Sequence, residues 1–137
     1  MTKTLSRDEI LAAGRKLKQE EVDVPELGGT VIVREMSGSE RDSWEASLLD
    51  TRGPDPVMNL ANTRAKLLVR TIVDADGKRL FTDDEIDLVG ALSASALDRL
   101  FAVAARLSRV SAADVEELAK NSPGARSAAS GSSSRKS

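Results

Sequence analysis

The chain has 137 residues, a formal net charge of −2, 40% apolar and 31% charged side chains. That is the length of one domain with an ordinary globular balance. It holds no Cys, no His and no Tyr, which excludes disulfides and thiolate chemistry and removes the commonest general base and transition-metal ligand.

Those absences argue against an enzyme, and no cofactor or metal is expected. The charge supplies no basic field for nucleic acid. The opening Met1–Ile10 has no apolar run of signal-peptide length, and no window approaches a membrane span. Aromatics are confined to Trp44, Phe81 and Phe101, so the core must be Leu, Val, Ile and Ala, a mix suited to packed helices.

In chain order, Ser6 with Glu9 three residues on reads as a capping box opening a short helix, with Ile10 and Leu11 apolar and Gly14 as its end. From Glu20 the period changes to two. Val22 and Val24 alternate with Glu21 and Asp23; Val31 and Val33 alternate with Thr30, Ile32 and Arg34. Around Gly28-Gly29 these runs predict a β-hairpin at about 20–35. Ser37 and Glu40 form a second capping box, before a helix carrying Trp44 and Leu48. Thr51–Pro56 breaks the chain. A third helix is expected from Leu60, Leu67, Leu68 and Ile72. Asp74–Gly77 is a turn, and Lys78–Phe81 a short, extended stretch. Thr82 and Glu85 cap a helix through Ile86, Leu88 and Val89. Ser93 caps the next, with the face Leu97, Leu100, Phe101, Ala104 and Leu107. Ser111 begins a last short helix with Val115 and Leu118. The Ser/Gly/Ala/Arg-rich segment after Asn121 cannot bury a core.

The fold class expected is therefore mainly α. Residues 1–120 form a small domain of five or six short helices with one N-terminal β-hairpin, and 121–137 a disordered tail.

Candidate sites are few. Asp74–Glu85 has the length and end residues of a calcium loop, but Lys78 and Arg79 stand where an oxygen ligand and a glycine are needed. Asp83, Asp84 and Glu85 sit in a first helical turn, where the dipole favours negative charge. Gly28-Gly29 lacks the Lys-Ser/Thr of a phosphate loop. Trp44 is either core or a contact anchor, with core favoured. The face Leu97, Leu100, Phe101, Ala104 and Leu107 is either core or a surface receiving an amphipathic helix. Trp44 and that face are the candidate partner-binding residues.

Taken together, Leu5–Ala13, Glu21–Glu26 with Gly28–Val31, Ser37–Asp42, Asp76–Phe81, Ala96–Phe101 and Asp114–Asn121 resemble the tail assembly chaperones of long-tailed siphophages. Order and spacing carry the resemblance, which runs from Leu5 to Asn121. Leu27 departs from it, standing where the family has an aromatic before Gly-Gly, as does the loop Thr51–Val57. The resemblance implies a protein that binds and solubilises the tape measure protein in the host cell cytoplasm. It implies self-association along that partner, recruitment of the tail tube protein through a longer frameshift product, and absence from the mature virion. A head–tail connector or minor tail protein, retained in the virion, is the alternative.

Overall fold

A computed structural model describes residues 3–55, 57–59 and 61–110. Within them the elements are α1 (Arg7–Gly14), β1 (Gln19–Val24), β2 (Gly29–Arg34), α2 (Gly38–Ser47), β3 (Leu49–Asp50), β4 (Val57–Met58), α3 (Thr63–Leu68), β5 (Ile72–Val73), α4 (Ile86–Gly90) and α5 (Ala94–Ser108). Five strands stand beside five helices, so the fold is mixed α/β, which corrects the mainly helical expectation. Ser111, Val115, Leu118 and the segment 121–137 lie outside the described residues.

Local chemistry sets most helix starts. The Glu9 and Glu40 amides donate to Ser6 Oγ (3.3 Å) and Ser37 Oγ (3.2 Å). The Ser6 and Ser37 amides donate back to Glu9 Oε1 and Glu40 Oε1, both at 2.9 Å. Each box satisfies two amides that a helix start leaves open. The Ala96 amide donates to Ser93 Oγ at the start of α5. The Thr82 amide donates to Glu85 Oε1 at 2.8 Å, but the chain then makes a 3₁₀ turn, Asp83–Glu85, before α4 begins.

The expected hairpin is present. β1 and β2 pair antiparallel from Gln19↔Arg34 to Val24↔Gly29. Pro25–Leu27 forms a 3₁₀ turn, and Gly28 closes it at φ 77°, a left-handed conformation that suits glycine. Alternation along β1 sends Val22 and Val24 inward and leaves Glu21 and Asp23 exposed.

A third strand was not expected. β5 pairs with β2 through Ile32↔Val73 and Val33↔Ile72, giving the order β1-β2-β5. Ile72 thus belongs to a strand and not to the third helix. α3 stops at Leu68, and Thr71 Oγ1 donates to Leu67 O at 3.1 Å. The Arg34 amide then draws the chain into the sheet by donating to Thr71 O at 2.8 Å. The run from Val69 to Val73 is rich in β-branched residues, which favour extended backbone over helix. The break after Leu48 holds a second short pairing, Leu49↔Met58 and Asp50↔Val57. Leu60 lies outside the described residues.

The core lies between the sheet, α3 and α5. Val22, Val24, Val33, Leu67, Leu68, Leu100 and Ala104 are among its buried members. α5 lies across β1 and β2 and along α3, and α4 packs on α3. Gly90 permits that last contact: a Cβ there would meet Asn62 Oδ1 at 2.9 Å. No described helix is long and apolar enough to cross a membrane.

Candidate partner-binding surface

Helix α5 spaces Leu97, Leu100 and Ala104 at three- and four-residue intervals, which keeps them on one side. That side faces the chain's own core: Leu100 and Ala104 are fully buried and Leu97 nearly so. At 3.6 residues per turn, Phe101 and Leu107 stand about 120° apart around the axis. They border the buried stripe on opposite sides, and both are half-buried. The outward side carries Ser95, Asp98, Arg99, Ala102, Arg106 and Arg109, all exposed.

Ion pairs fasten that outward side to its neighbours. Arg99 donates to both Glu26 oxygens at 3.1 Å, Arg106 reaches Glu20 at 2.7 Å, and Arg64 on α3 reaches Asp98 at 2.6 Å. At the far end Arg41 Nη1 donates to Ser108 O, and the Met36 amide to Ser108 Oγ. Each exposed pair contributes little alone, but together they tie α5 to the hairpin and to α3.

Trp44, on α2, is fully buried within the core cluster. Its Nε1–H is the one buried side-chain nitrogen or oxygen without a hydrogen-bond partner among the described residues. In this conformation, then, four of the six candidate residues, Trp44, Leu97, Leu100 and Ala104, have no accessible surface of consequence. Phe101 and Leu107 alone reach the outside.

Two features carried no sequence signal. The first is a charge network between α2, α3 and the turn before α4. Arg34 Nη2 donates to both Glu40 oxygens at 2.7 Å, and its other nitrogens reach Glu35 O and Gly77 O. Arg70 is 3% exposed; it donates to Lys66 O at 2.6 Å and Ser43 Oγ at 3.0 Å and lies 3.5 Å from Asp83. Burial lowers the pKa of Arg70. A hydrogen bond from Arg79, at 2.6 Å, holds the Asp83 carboxyl below its usual range. The links from Arg34 to Gly77 and from Arg70 to Ser43 span 43 and 27 residues, so no local pattern announces that these side chains meet.

The second is the open outer edge of β1. The Glu35 amide bonds Lys18 O, whereas the Arg34 amide bonds Thr71 O. By alternation, the backbone groups of Gln19, Glu21 and Asp23 point away from β2. The exposed Glu21 and Asp23 carboxylates guard this edge against unwanted strand pairing.

The calcium-loop lookalike is a plain turn. Asp74 Oδ1 accepts from the Asp76 amide at 2.8 Å and the Lys78 amide at 3.0 Å, with Gly77 at φ 83°.

Several carboxyls are held below their usual range by paired cations: Glu9 by Lys3, Glu26 by Arg99, Asp83 by Arg79, and Asp50 by Arg52, down to about 2. A carboxyl depressed on folding contributes stability above its unfolded value, about pH 4, and that stability is lost as pH falls through the lower folded value. The urea midpoint is therefore expected to drop between pH 6 and pH ~2.5. Arg79→Met should flatten the drop; an unchanged profile would show that the Asp83 pair does not matter.

These elements define a small mixed α/β protein with one core, closed by a helix pinned across a hairpin. Its sequence matches the phage tail assembly chaperone family over residues 6–121, and the chain belongs to that family. Among solved structures it is similar to the bacteriophage HK97 tail assembly chaperone, at 26% identity and a TM-score of 0.52, over 70% of this chain and 86% of that one. A comparison with curated proteins finds no match.

Proposed function

We propose that this chain binds the tape measure protein of its phage and keeps it soluble in the host cytoplasm while the tail tube assembles around it. The observation that carries this reading is the family match across residues 6–121. A long helical partner with apolar stripes is an aggregation hazard, and many copies of a small protein of net negative charge would keep it dispersed. A longer frameshift product would recruit tail tube subunits, and the chaperone would leave before the virion is complete.

The receiving surface is proposed to include Phe101 and Leu107. Leu97, Leu100 and Ala104 lie on the buried side of the same helix and fix where α5 sits, while Trp44 is buried on α2. Co-expression with the tape measure gene of the same genome is expected to give a soluble complex that co-purifies through a tag on this chain. Phe101→Glu with Leu107→Glu should return the tape measure protein to the pellet while circular dichroism of the variant stays unchanged. Retained solubility would exclude the α5 borders. An insoluble tape measure protein beside the unmodified chain would overturn the chaperone reading itself. Mass spectrometry of purified virions would then show whether the chain is a retained connector or minor tail protein.

A further inference from the structure

α1 is eight residues long and buries none of them, and a helix that short does not hold in water by itself. Its capping box and the Lys3–Glu9 ion pair support only the first turn. Its apolar side chains stand open, with Leu5 49% and Ile10 54% exposed. The arm 3–18 carries five basic and two acidic side chains. The two acids are already engaged, Glu9 by Lys3 and Asp8 by Arg7. Arg15, Lys16 and Lys18 form no ion pair among the described residues.

This arm hangs from a defined corner of the fold. It runs into β1 at Gln19, and the start of β1 lies against the end of α5. Arg106 reaches Glu20 at 2.7 Å, the Met36 amide donates to Ser108 Oγ at 3.1 Å, and the neighbouring Glu35 amide donates to Lys18 O at 2.8 Å. The chain leaves α5 at the same corner. Arg109 turns it at φ 57°, and Val110 is buried with its amide donating to Ala105 O. The next ten residues, 111–120, have the composition that the arm lacks: Asp114, Glu116 and Glu117 against a single Lys120, with Val115 and Leu118 apolar. Val115 and Leu118 are three residues apart, the spacing of one helix side. As a helix the segment would run about 15 Å, enough to lie along the roughly 12 Å of α1.

We infer that the segment 111–120 folds back on the N-terminal arm of the same chain, setting Val115 and Leu118 against Leu5 and Ile10. Its carboxylates then face the free cations Arg15, Lys16 and Lys18. The contact covers the open side of α1 and gives that helix the packing it needs to persist. Part of the attraction is between exposed charges, and it weakens with salt. Both partners start from one corner, so the tether keeps their effective concentration high and a modest apolar contact suffices. The inference concerns the chain alone and goes beyond the tape-measure reading, so either can fail without the other.

The test uses the full chain with a nitroxide spin label on Lys120→Cys, a specific attachment because the chain has no other Cys. The amides of Leu5 to Gly14 are expected to broaden in nuclear magnetic resonance spectra. Glu116→Lys with Glu117→Lys should abolish the broadening and speed hydrogen exchange at the Ile10 amide, which donates to Ser6 O at 2.9 Å. Adding Arg15→Glu with Lys16→Glu should restore both. An α1 that stays sharp in the chain without charge reversals overturns the inference. So does broadening that survives the first reversal, which would report only the shared corner, or a loss that the second reversal does not rescue. Mixing spin-labelled chain with isotope-labelled chain that carries no nitroxide separates one copy from two. Broadening as strong in that mixture would place the contact between copies and overturn the inference as well. If the charge reversals disturb the fold beyond α1, Leu118→Asp takes their place, with the same loss expected.

Discussion

Trp44→Ala is expected to cost about 3–5 kcal/mol of unfolding free energy, the range for emptying a large aromatic site in a packed core. Trp44 is fully buried, and α2, which carries it, packs against α3 and β3. Trp44→Phe should cost much less, at most about 2 kcal/mol. It gives up part of the ring contact but also removes the Nε1–H that has no partner, and a buried donor left unpaired costs about 1–3 kcal/mol. Trp44 is the only Trp and there is no Tyr, so urea unfolding of the variants must be followed by far-ultraviolet circular dichroism. Equal losses for Ala and Phe would mean that the indole N–H is satisfied in solution.

Arg34→Met is expected to cost about 2–4 kcal/mol, because it strands a partly buried carboxylate. Arg34 and Glu40 keep 14% and 19% of their side-chain surface exposed. The guanidinium joins the end of β2 to the first turn of α2 and to the turn at Gly77. Lysine cannot reproduce this fork of donors, so Arg34→Lys should recover only part of the loss. The double variant Arg34→Met, Glu40→Gln should be at least about 1 kcal/mol more stable than the sum of its singles predicts, since the two share one interaction. A single loss no greater than that of the exposed Arg64→Met would show that the network is ornamental.

Such variants probe interactions that the sequence does not announce. Those that close within four residues were legible: the Ser6–Glu9 and Ser37–Glu40 boxes, the Ser93 cap, and the turns at Gly28 and Gly77. So was the hairpin, whose strands are long enough to show a period of two. The two-residue strands were not, because Leu49–Asp50, Val57–Met58 and Ile72–Val73 are too short to carry any period. Ile72 fell four residues after Leu68 and so mimicked one more helical turn. What takes it out of the helix is a strand that begins 43 residues earlier, at Gly29. The candidate surface was legible only as an apolar stripe. Periodicity showed that Leu97, Leu100 and Ala104 share a side, but it could not say that the hairpin already occupies that side. The opposite placement of Phe101 and Leu107 mattered only once the stripe's centre was known to be filled.

That α5 closes the core over a hairpin made some sixty residues earlier has a consequence for synthesis, which runs from the N-terminus. The hairpin is local and forms within microseconds of leaving the ribosome. Its inward side, Val22, Val24 and Val33, must then wait for Leu97 to Ala104 to be translated, at about 5–20 residues per second. For some seconds each new molecule exposes the kind of apolar surface that the finished fold hides, on a sheet whose outer edge is still unpaired. Glu21 and Asp23 hold that edge in solution during the interval, so these two carboxylates protect the nascent chain as well as the finished protein.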